Sequence, residues 1–148
     1  MVGRFEVFTF ALSELTTHWN KIAAEEMKSL GLKGGCILYL IALFKHPDGL
    51  TAAQLCEMCN RDKAEVSRAV SAMLSKGIVD RVNTTVSGYR ANIRLTEKGR
   101  EITHQLRERV KLAVEKGGEG LTDDYREAFY SALGIISANL KNISKEGL

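Results

Sequence analysis

Three cysteines and three histidines are the residues with the chemistry for redox sensing, metal binding or catalysis in this chain. Cys56 and Cys59 form a C-x-x-C pair. Three residues apart on a helix, their Cβ atoms are about 5 to 6 Å apart, too far for an unstrained disulfide. A zinc site needs about four ligands, and only Cys36 and His46 could join the pair, at a spacing that matches no common pattern. We therefore expect two small, reduced, buried side chains, and neither a metal nor another cofactor.

Catalytic motifs do not stand out either. The sequence has no glycine-rich phosphate loop, no H-E-x-x-H, and no Ser or Cys motif with an organised base. Its three histidines fall on different segments, so we do not expect an enzyme. Cys36 is the better candidate for a redox sensor, because a cysteine in the first turn of a helix can have a lowered pKa. The alternative, which the sequence favours, is a packed thiol.

The positive charge of the chain is concentrated in its middle. Between Asn60 and Arg100 there are nine Lys or Arg residues against four Asp or Glu, a net charge of +5, whereas the remainder carries −2. A local basic excess of this kind is typical of a surface that meets a polyanion.

A helix over residues 62–76 would present two very different faces. Val66, Val70 and Met73 fall on one side and anchor the helix. The other side presents short side chains around Arg68, the profile of a helix in the major groove, where small residues allow close approach and an arginine donates two hydrogen bonds to guanine. A solvated face is the alternative, but such faces usually carry Glu and Lys pairs. The residues that we expect to contact DNA from this helix and the preceding turn are Arg61, Lys63, Ala64, Glu65, Ser67, Arg68, Ser71 and Ser75.

A hairpin follows that helix and offers a second contact. Residues 78–82 and 90–95 are predicted strands, the second with alternating apolar side chains, and a Thr-, Ser- and Gly-rich tip joins them. The tip could give hydroxyls and a cation to a phosphate or a minor groove. A plain turn is the alternative, and for Thr84 and Thr85 alone it is equally well supported. The candidate residues in the tip are Thr84, Thr85, Ser87, Tyr89 and Arg90.

The elements that position these residues are mainly helical. Capping-box spacings at Thr51 and Asp62 start two helices joined by Asn60-Arg61, a helix-turn-helix. Residues 37–44 are predicted to form a short buried helix. Thr96 and Thr122 are predicted to cap two later helices. We expect the order α, α, α, α, β-hairpin, α, α: a mainly α fold with a small β-hairpin wing.

The first and last helices carry apolar seams. Apolar residues recur every three or four positions from Phe5 to Ile22 and from Tyr125 to Ile143. So small a domain cannot cover both seams, which predicts a symmetric homodimer. The chain then forms a single domain, residues 1–148, with a winged helix-turn-helix over 33–100 and dimerisation helices over 1–30 and 101–148.

The central motif resembles that of MarR-family regulators. The run LTAAQLCEMCNRDKAEVSRAVSAMLSKGIVDRV, followed by RANIRLTEKGREI, is similar to the family pattern of Leu-Thr, a capped helix, Ser/Thr-x-Val-Thr-Arg, Lys-Gly-x-Val-x-Arg, a wing and Leu-Thr-x-x-Gly. The resemblance implies a dimer whose first, fifth and sixth helices intertwine, with the helix over 62–76 as the reading helix.

This chain departs from the family pattern in two places. Family members usually carry Asp-x-Arg at the wing tip, where this chain has Ser87-Gly88-Tyr89, so Arg90 is the candidate to replace that arginine. Gly34, Gly35 and Cys36 open the second helix, where a Gln or aromatic residue is common.

The resemblance also implies a small aromatic or lipophilic effector held between the dimer helices and the winged domain. The candidate lining residues are His18, Trp19, Cys36 and Tyr39. The function expected from residues and resemblance together is a cytoplasmic regulator that binds double-stranded DNA at a near-palindromic operator, a repressor released by a small molecule or an oxidative signal. No membrane partner is expected, because no apolar run approaches the roughly 18 residues of a span. The alternative is a winged-helix protein-interaction module without specific DNA binding.

Overall fold

Six helices and one antiparallel pair of strands make up residues 3–83 and 91–148, the part of the chain that the computed structural model describes. This composition and order confirm the predicted fold class. The elements are α1 (Arg4–Lys28), α2 (Cys36–Phe44), α3 (Ala52–Cys59), α4 (Lys63–Ser75), β1 (Val79–Asn83), β2 (Ala91–Leu95), α5 (Glu97–Gly117) and α6 (Asp123–Glu146). The chain forms two units, residues 1–109 and 110–148.

The helix-turn-helix begins where the capping spacings predict. Thr51 and Gln54 form a complete capping box, with the Gln54 amide donating to Thr51 Oγ1 over 3.2 Å and the Thr51 amide donating to Gln54 Oε1 over 2.9 Å. At the second start, Asp62 Oδ1 accepts the Glu65 amide over 2.8 Å. Side-chain oxygens thus satisfy amides that a helix leaves unpaired in its first turn, which fixes both starts.

Asn60 makes the turn between α3 and α4. It has φ 53° and ψ 51°, the left-handed conformation that asparagine tolerates better than most side chains. The Arg61 amide then donates to the Cys56 carbonyl over 3.0 Å and closes the end of α3. This compact turn sets the angle at which α4 leaves α3.

The core of the first unit lies where α2, α3, α4 and the strands meet. Fully buried side chains come from these helices, from β2 and from the residue just before β1: Leu40, Leu43, Leu55, Val66, Val70, Met73, Ile93 and Ile78. The strands pair in antiparallel register, with Val79 opposite Leu95 and Arg81 opposite Ile93. Ile93 and Leu95 are buried and Arg94 is exposed, as the alternation predicts.

An additional bridge extends the wing sheet, and the sequence did not predict it. The Leu50 amide donates to the Ile93 carbonyl over 2.9 Å, and the Ile93 amide donates back to the Leu50 carbonyl over 2.8 Å. Gly49 precedes the bridge with φ +95°, and a Cβ there would lie 2.8 Å from the Ile93 carbonyl oxygen. Only glycine fits both the backbone angle and the close approach.

Thr96 joins the wing to α5. Its hydroxyl donates to the Gly77 carbonyl over 2.6 Å and accepts the Gly99 amide over 3.0 Å. Gly99 lies so close to the backbone of Ile78 that a Cβ at Gly99 would overlap the Ile78 carbonyl oxygen. The Leu-Thr-x-x-Gly run therefore builds the joint by which α5 holds the base of the wing.

The seams of the first and last helices are exposed within one chain. On α1, Phe5 is 76% exposed and Leu15 is 63% exposed. None of the residues of α6 is buried, and Tyr125 is 68% exposed. No helix in the described part of the chain has both the length and the apolar character needed to cross a membrane.

Candidate nucleic-acid interface

The exposed face of α4 carries the residues predicted to read DNA. Arg61, Lys63, Ala64, Glu65, Ser67, Arg68, Ser71 and Ser75 are all exposed. On the opposite side, Val66, Val70 and Met73 are buried in the core. Because one side of α4 is anchored in this way, the other side projects a rigid surface of short side chains around Arg68.

The two arginines at this surface differ in their bonding. Arg61 Nη1 donates to the Asn60 carbonyl over 3.1 Å and to the Cys59 carbonyl over 3.4 Å, so its guanidinium is tied to the turn. Within residues 3–83 and 91–148, Arg68 makes no hydrogen bond or ion pair. Its donors are available for an acceptor outside the protein, and a guanidinium fork fits the O6 and N7 atoms of guanine.

Only the base of the wing can be compared with the prediction. Thr84, Thr85, Ser87, Tyr89 and Arg90 lie outside the described residues. At the base, Arg94 Nε donates to Asp80 Oδ1 over 3.1 Å, and the two residues lie directly opposite each other on β2 and β1. A cross-strand ion pair of this kind ties the two strands together.

The four residues proposed to line an effector pocket fall into two pairs. Cys36 and Tyr39 are buried on α2 and line one cavity of about 280 Å³ together with Arg61, Glu65 and Arg68 of the α4 surface. His18 and Trp19 lie on exposed positions of α1 and do not line this cavity. One chain therefore brings Cys36 and Tyr39 together beside α4.

Burial controls the acidity of both cavity residues. It raises the pKa of the Cys36 thiol, and this effect exceeds the lowering caused by the hydrogen bond and charge of Lys33. The structure therefore supports the packed thiol that the sequence favours over a sensor with a lowered pKa, because desolvation outweighs the helix terminus. Burial, and then the nearby Glu65 carboxylate, raise the pKa of Tyr39, so its hydroxyl keeps its proton.

The remaining cysteines behave as small apolar side chains. Cys59 is buried and Cys56 is half-buried, and all three cysteines of the chain are free. Burial also raises the pKa of the Cys59 thiol. Among the residues that the structure describes, no group of three or more His, Cys, Asp or Glu side chains is arranged to hold a metal ion.

The glycines before α2 suggest an enlarged cavity near the first helix, and the structure has a cavity there that also borders α4, which the sequence did not predict. It forms because the loop at residues 31–35 comes close to Ala69 and Ala72, although more than thirty residues separate the two segments. The cluster of glycines before α2 was the available signal, since a loop without side chains leaves space open.

Known proteins match this chain in sequence and in fold. The model of the MarR family matches residues 30–86. An uncharacterized HTH-type transcriptional regulator of Bacillus subtilis (strain 168), YybA, is 25% identical over 82% of this chain and 81% of its own length.

Two solved structures share the fold at lower identity. A MarR-family regulator from Listeria monocytogenes, complexed with 26mer DNA, has a TM-score of 0.84 at 18% identity and matches 94% of each chain. CouR from Rhodococcus jostii RHA1, bound to p-coumaroyl-CoA, has a TM-score of 0.74 at 19% identity, with 87% of this chain and 90% of CouR covered.

Proposed function

Since the winged helix-turn-helix segment of this chain belongs to the MarR family, and the whole chain has the fold of that family's regulators, we propose that it binds a specific operator sequence and regulates transcription. The face of α4 carries this proposal. It combines a rigid anchor, short exposed side chains and one arginine whose donors are unused by the described residues. A helix in the major groove needs this combination.

The operator-binding form is a homodimer. The exposed apolar side chains of α1 and α6 support it, because soluble monomers rarely leave so much apolar surface uncovered. Two reading helices related by a twofold axis reach successive major-groove segments, so the operator is a near-palindrome with half-sites about 10 base pairs apart. Residues 1–30 and 101–148 supply the dimer contacts, and residues 33–100 supply the DNA contacts.

The regulator acts as a repressor that a signal releases. The Rhodococcus structure with p-coumaroyl-CoA is one example of a protein of this fold with a bound aromatic ligand. Identifying the operator and the ligand of this protein would identify the genes that it regulates and the signal that releases it. His18, Trp19, Cys36 and Tyr39 are the effector residues of this proposal. Cys36 and Tyr39 line the cavity beside α4, and His18 and Trp19 lie at exposed positions of α1.

Replacement of Arg68 by alanine tests the reading face. Arg68 lies opposite the buried anchor, so Arg68→Ala leaves no core cavity and stability should change by less than about 0.5 kcal/mol. Each half-site should lose about 1 to 3 kcal/mol of binding free energy, and a symmetric dimer loses it twice. The operator is first selected from genomic DNA with the parent protein, and affinities are then measured by fluorescence anisotropy at one salt concentration.

Lys145→Ala is the matched control, because it removes one positive charge from an exposed position near the end of α6. It should bind the operator within about twofold of the parent, since a single distant charge is screened. If Arg68→Ala binds as tightly as Lys145→Ala, with unchanged circular dichroism, α4 is not the reading helix. Failure of the parent protein to select any DNA would instead favour the protein-interaction module.

A further inference from the structure

Glu65 places a negative charge on the face of α4 that we propose meets DNA. It is exposed, and its carboxylate makes no hydrogen bond or ion pair with residues 3–83 and 91–148. Asp62, the other acid at the start of α4, differs in this respect, because its Oδ1 accepts the Glu65 amide over 2.8 Å. The helix cap accounts for Asp62, whereas no interaction within the described part of the chain accounts for the Glu65 carboxylate.

A carboxylate at this position needs a hydrogen-bond donor from the nucleic acid. DNA carries one negative charge per about 1.7 Å of its length, so Glu65 weakens the binding of every sequence unless a base edge compensates for the repulsion. In the major groove, cytosine presents only the donor N4. Guanine and thymine present acceptors, and adenine places the acceptor N7 beside its donor N6. An ionised carboxylate can only accept, so cytosine is the base that it matches.

Glu65 and Arg68 lie on the same side of α4. Three residues advance a helix by about 4.5 Å and turn it through about 300°, whereas successive base pairs are about 3.4 Å apart. Both side chains are exposed, and both border the cavity beside α4. With Arg68 on a guanine, Glu65 therefore reaches a base no more than about two pairs away. The bond from the Glu65 amide to Asp62 fixes the backbone from which it reaches.

We propose that Glu65 reads a cytosine within two base pairs of the guanine that Arg68 reads, once in each half-site of the operator. This proposal rests on the proposed function, in which α4 enters the major groove. Arg68 then selects one base pair and Glu65 selects a second. Glu65 also rejects DNA that lacks the cytosine, because its charge is then left facing the phosphates without a donor.

Replacement of Glu65 by glutamine tests the choice of base. The operator is selected from randomised duplex DNA with the parent protein, each base pair of a half-site is replaced in turn, and affinities are measured by fluorescence anisotropy at one salt concentration. Replacing the cytosine in one half-site should weaken parent binding at least about fivefold. Glutamine has nearly the same shape and pairs with adenine N6 and N7, so Glu65→Gln should prefer adenine at this position and keep every other preference.

Two further variants separate base reading from a general effect of charge. Glu65→Ala should accept any base at the cytosine position and bind a duplex without the operator at least as tightly as the parent. Glu57→Gln is the matched control, because it removes the same charge from an exposed position on α3. It should change the affinity for all duplexes by the same factor and keep every base preference. Circular dichroism should be unchanged in all of these variants, since none alters a buried side chain.

The outcomes separate this proposal from the function on which it rests. If Glu65→Gln and Glu65→Ala keep the parent's preference at every position while Arg68→Ala loses the guanine preference, Glu65 reads no base and the proposed function stands. If the Glu65 variants lose the guanine preference instead, Glu65 positions Arg68 and the cytosine proposal is wrong. If the parent protein selects no DNA, the proposed function fails and this proposal fails with it.

Discussion

The Cys36 thiol experiences two opposing effects. Its place at the start of α2 lowers the pKa of a thiol, as do the hydrogen bond and charge of Lys33, whereas burial raises it. Burial is the larger effect. The identity and approximate position of Cys36 could be read from the sequence, but its solvent exposure depends on how the loop and α4 cover it. The first-turn position alone therefore does not determine the direction in which the pKa shifts.

Because burial raises its pKa, the Cys36 thiol should react slowly with alkylating reagents. The thiolate is the reactive form, and a raised pKa leaves less of it at neutral pH. With iodoacetamide at pH 7, the half-buried Cys56 should be alkylated before Cys36 and Cys59, as measured by peptide mass spectrometry over time. As the pH rises towards the ordinary pKa of a free thiol, the reaction of Cys36 should accelerate and still lag behind a free cysteine, because burial raises the pKa of Cys36.

Protein unfolded in urea is the control, and there the three thiols should react at similar rates. Faster labelling of Cys36 than of Cys56 in the folded protein would show that the thiol is activated, and an oxidative signal acting at Cys36 would then be supported.

The elements of this fold are specified mostly by local signals. Thr51, Asp62 and Thr122 each cap a helix at the position that the sequence predicts, because a cap depends on residues only three positions apart. The Leu50 bridge to Ile93 and the α4 side of the cavity were not predicted, because each depends on two segments far apart in the chain. Helical spacing also predicted that Arg68 and the buried residues Val66 and Val70 lie on opposite sides of α4, as the structure has them.

The joint between the wing and α5 depends on the absence of one side chain. Gly99→Ala places a methyl group against the backbone oxygen of Ile78, which cannot move without shifting the strand or the helix. Overpacking of this kind should destabilise the protein by about 2 to 3 kcal/mol. Urea unfolding followed by circular dichroism, at one fixed protein concentration, measures the loss.

Gly117→Ala provides the comparison within the same helix. A Cβ at Gly117 meets nothing within 4 Å, so alanine there should leave stability unchanged or raise it by up to about 1 kcal/mol through helix propensity. Equal effects of the two substitutions would mean that the contact between Gly99 and Ile78 does not fix the joint.

At the scale of the whole molecule, the described chain buries its apolar residues unevenly. The first unit encloses a core between α2, α3, α4 and the strands, whereas α6 buries none of its 24 residues. Exposed apolar surface on this scale is unfavourable in water, and the homodimer that we propose would cover it. The proposed DNA contacts on α4 and the proposed dimer contacts on α6 lie on different helices, so mutations can test them separately.

Leu133→Glu should dissociate the dimer and leave each winged unit folded. Leu133 is 43% exposed and lies on the apolar seam of α6, so a glutamate there places a charge in the dimer contact of each copy. Losing two buried leucines at about 1.5 to 3 kcal/mol each should raise the dimer dissociation constant more than about a hundredfold. Sedimentation velocity from 0.1 to about 50 micromolar measures this shift, since micromolar affinity corresponds to about 8 kcal/mol.

Ser131→Glu is the matched control. Residues two apart are about 200° apart around a helix, so Ser131 lies on the face of α6 opposite the seam. It should sediment as the parent does and bind the operator normally. Leu133→Glu should lose operator affinity as well, because a monomer contacts one half-site only. If Leu133→Glu remains dimeric, α6 does not form the dimer contact. If the parent protein is monomeric at micromolar concentration, the reason to expect a near-palindromic operator is lost.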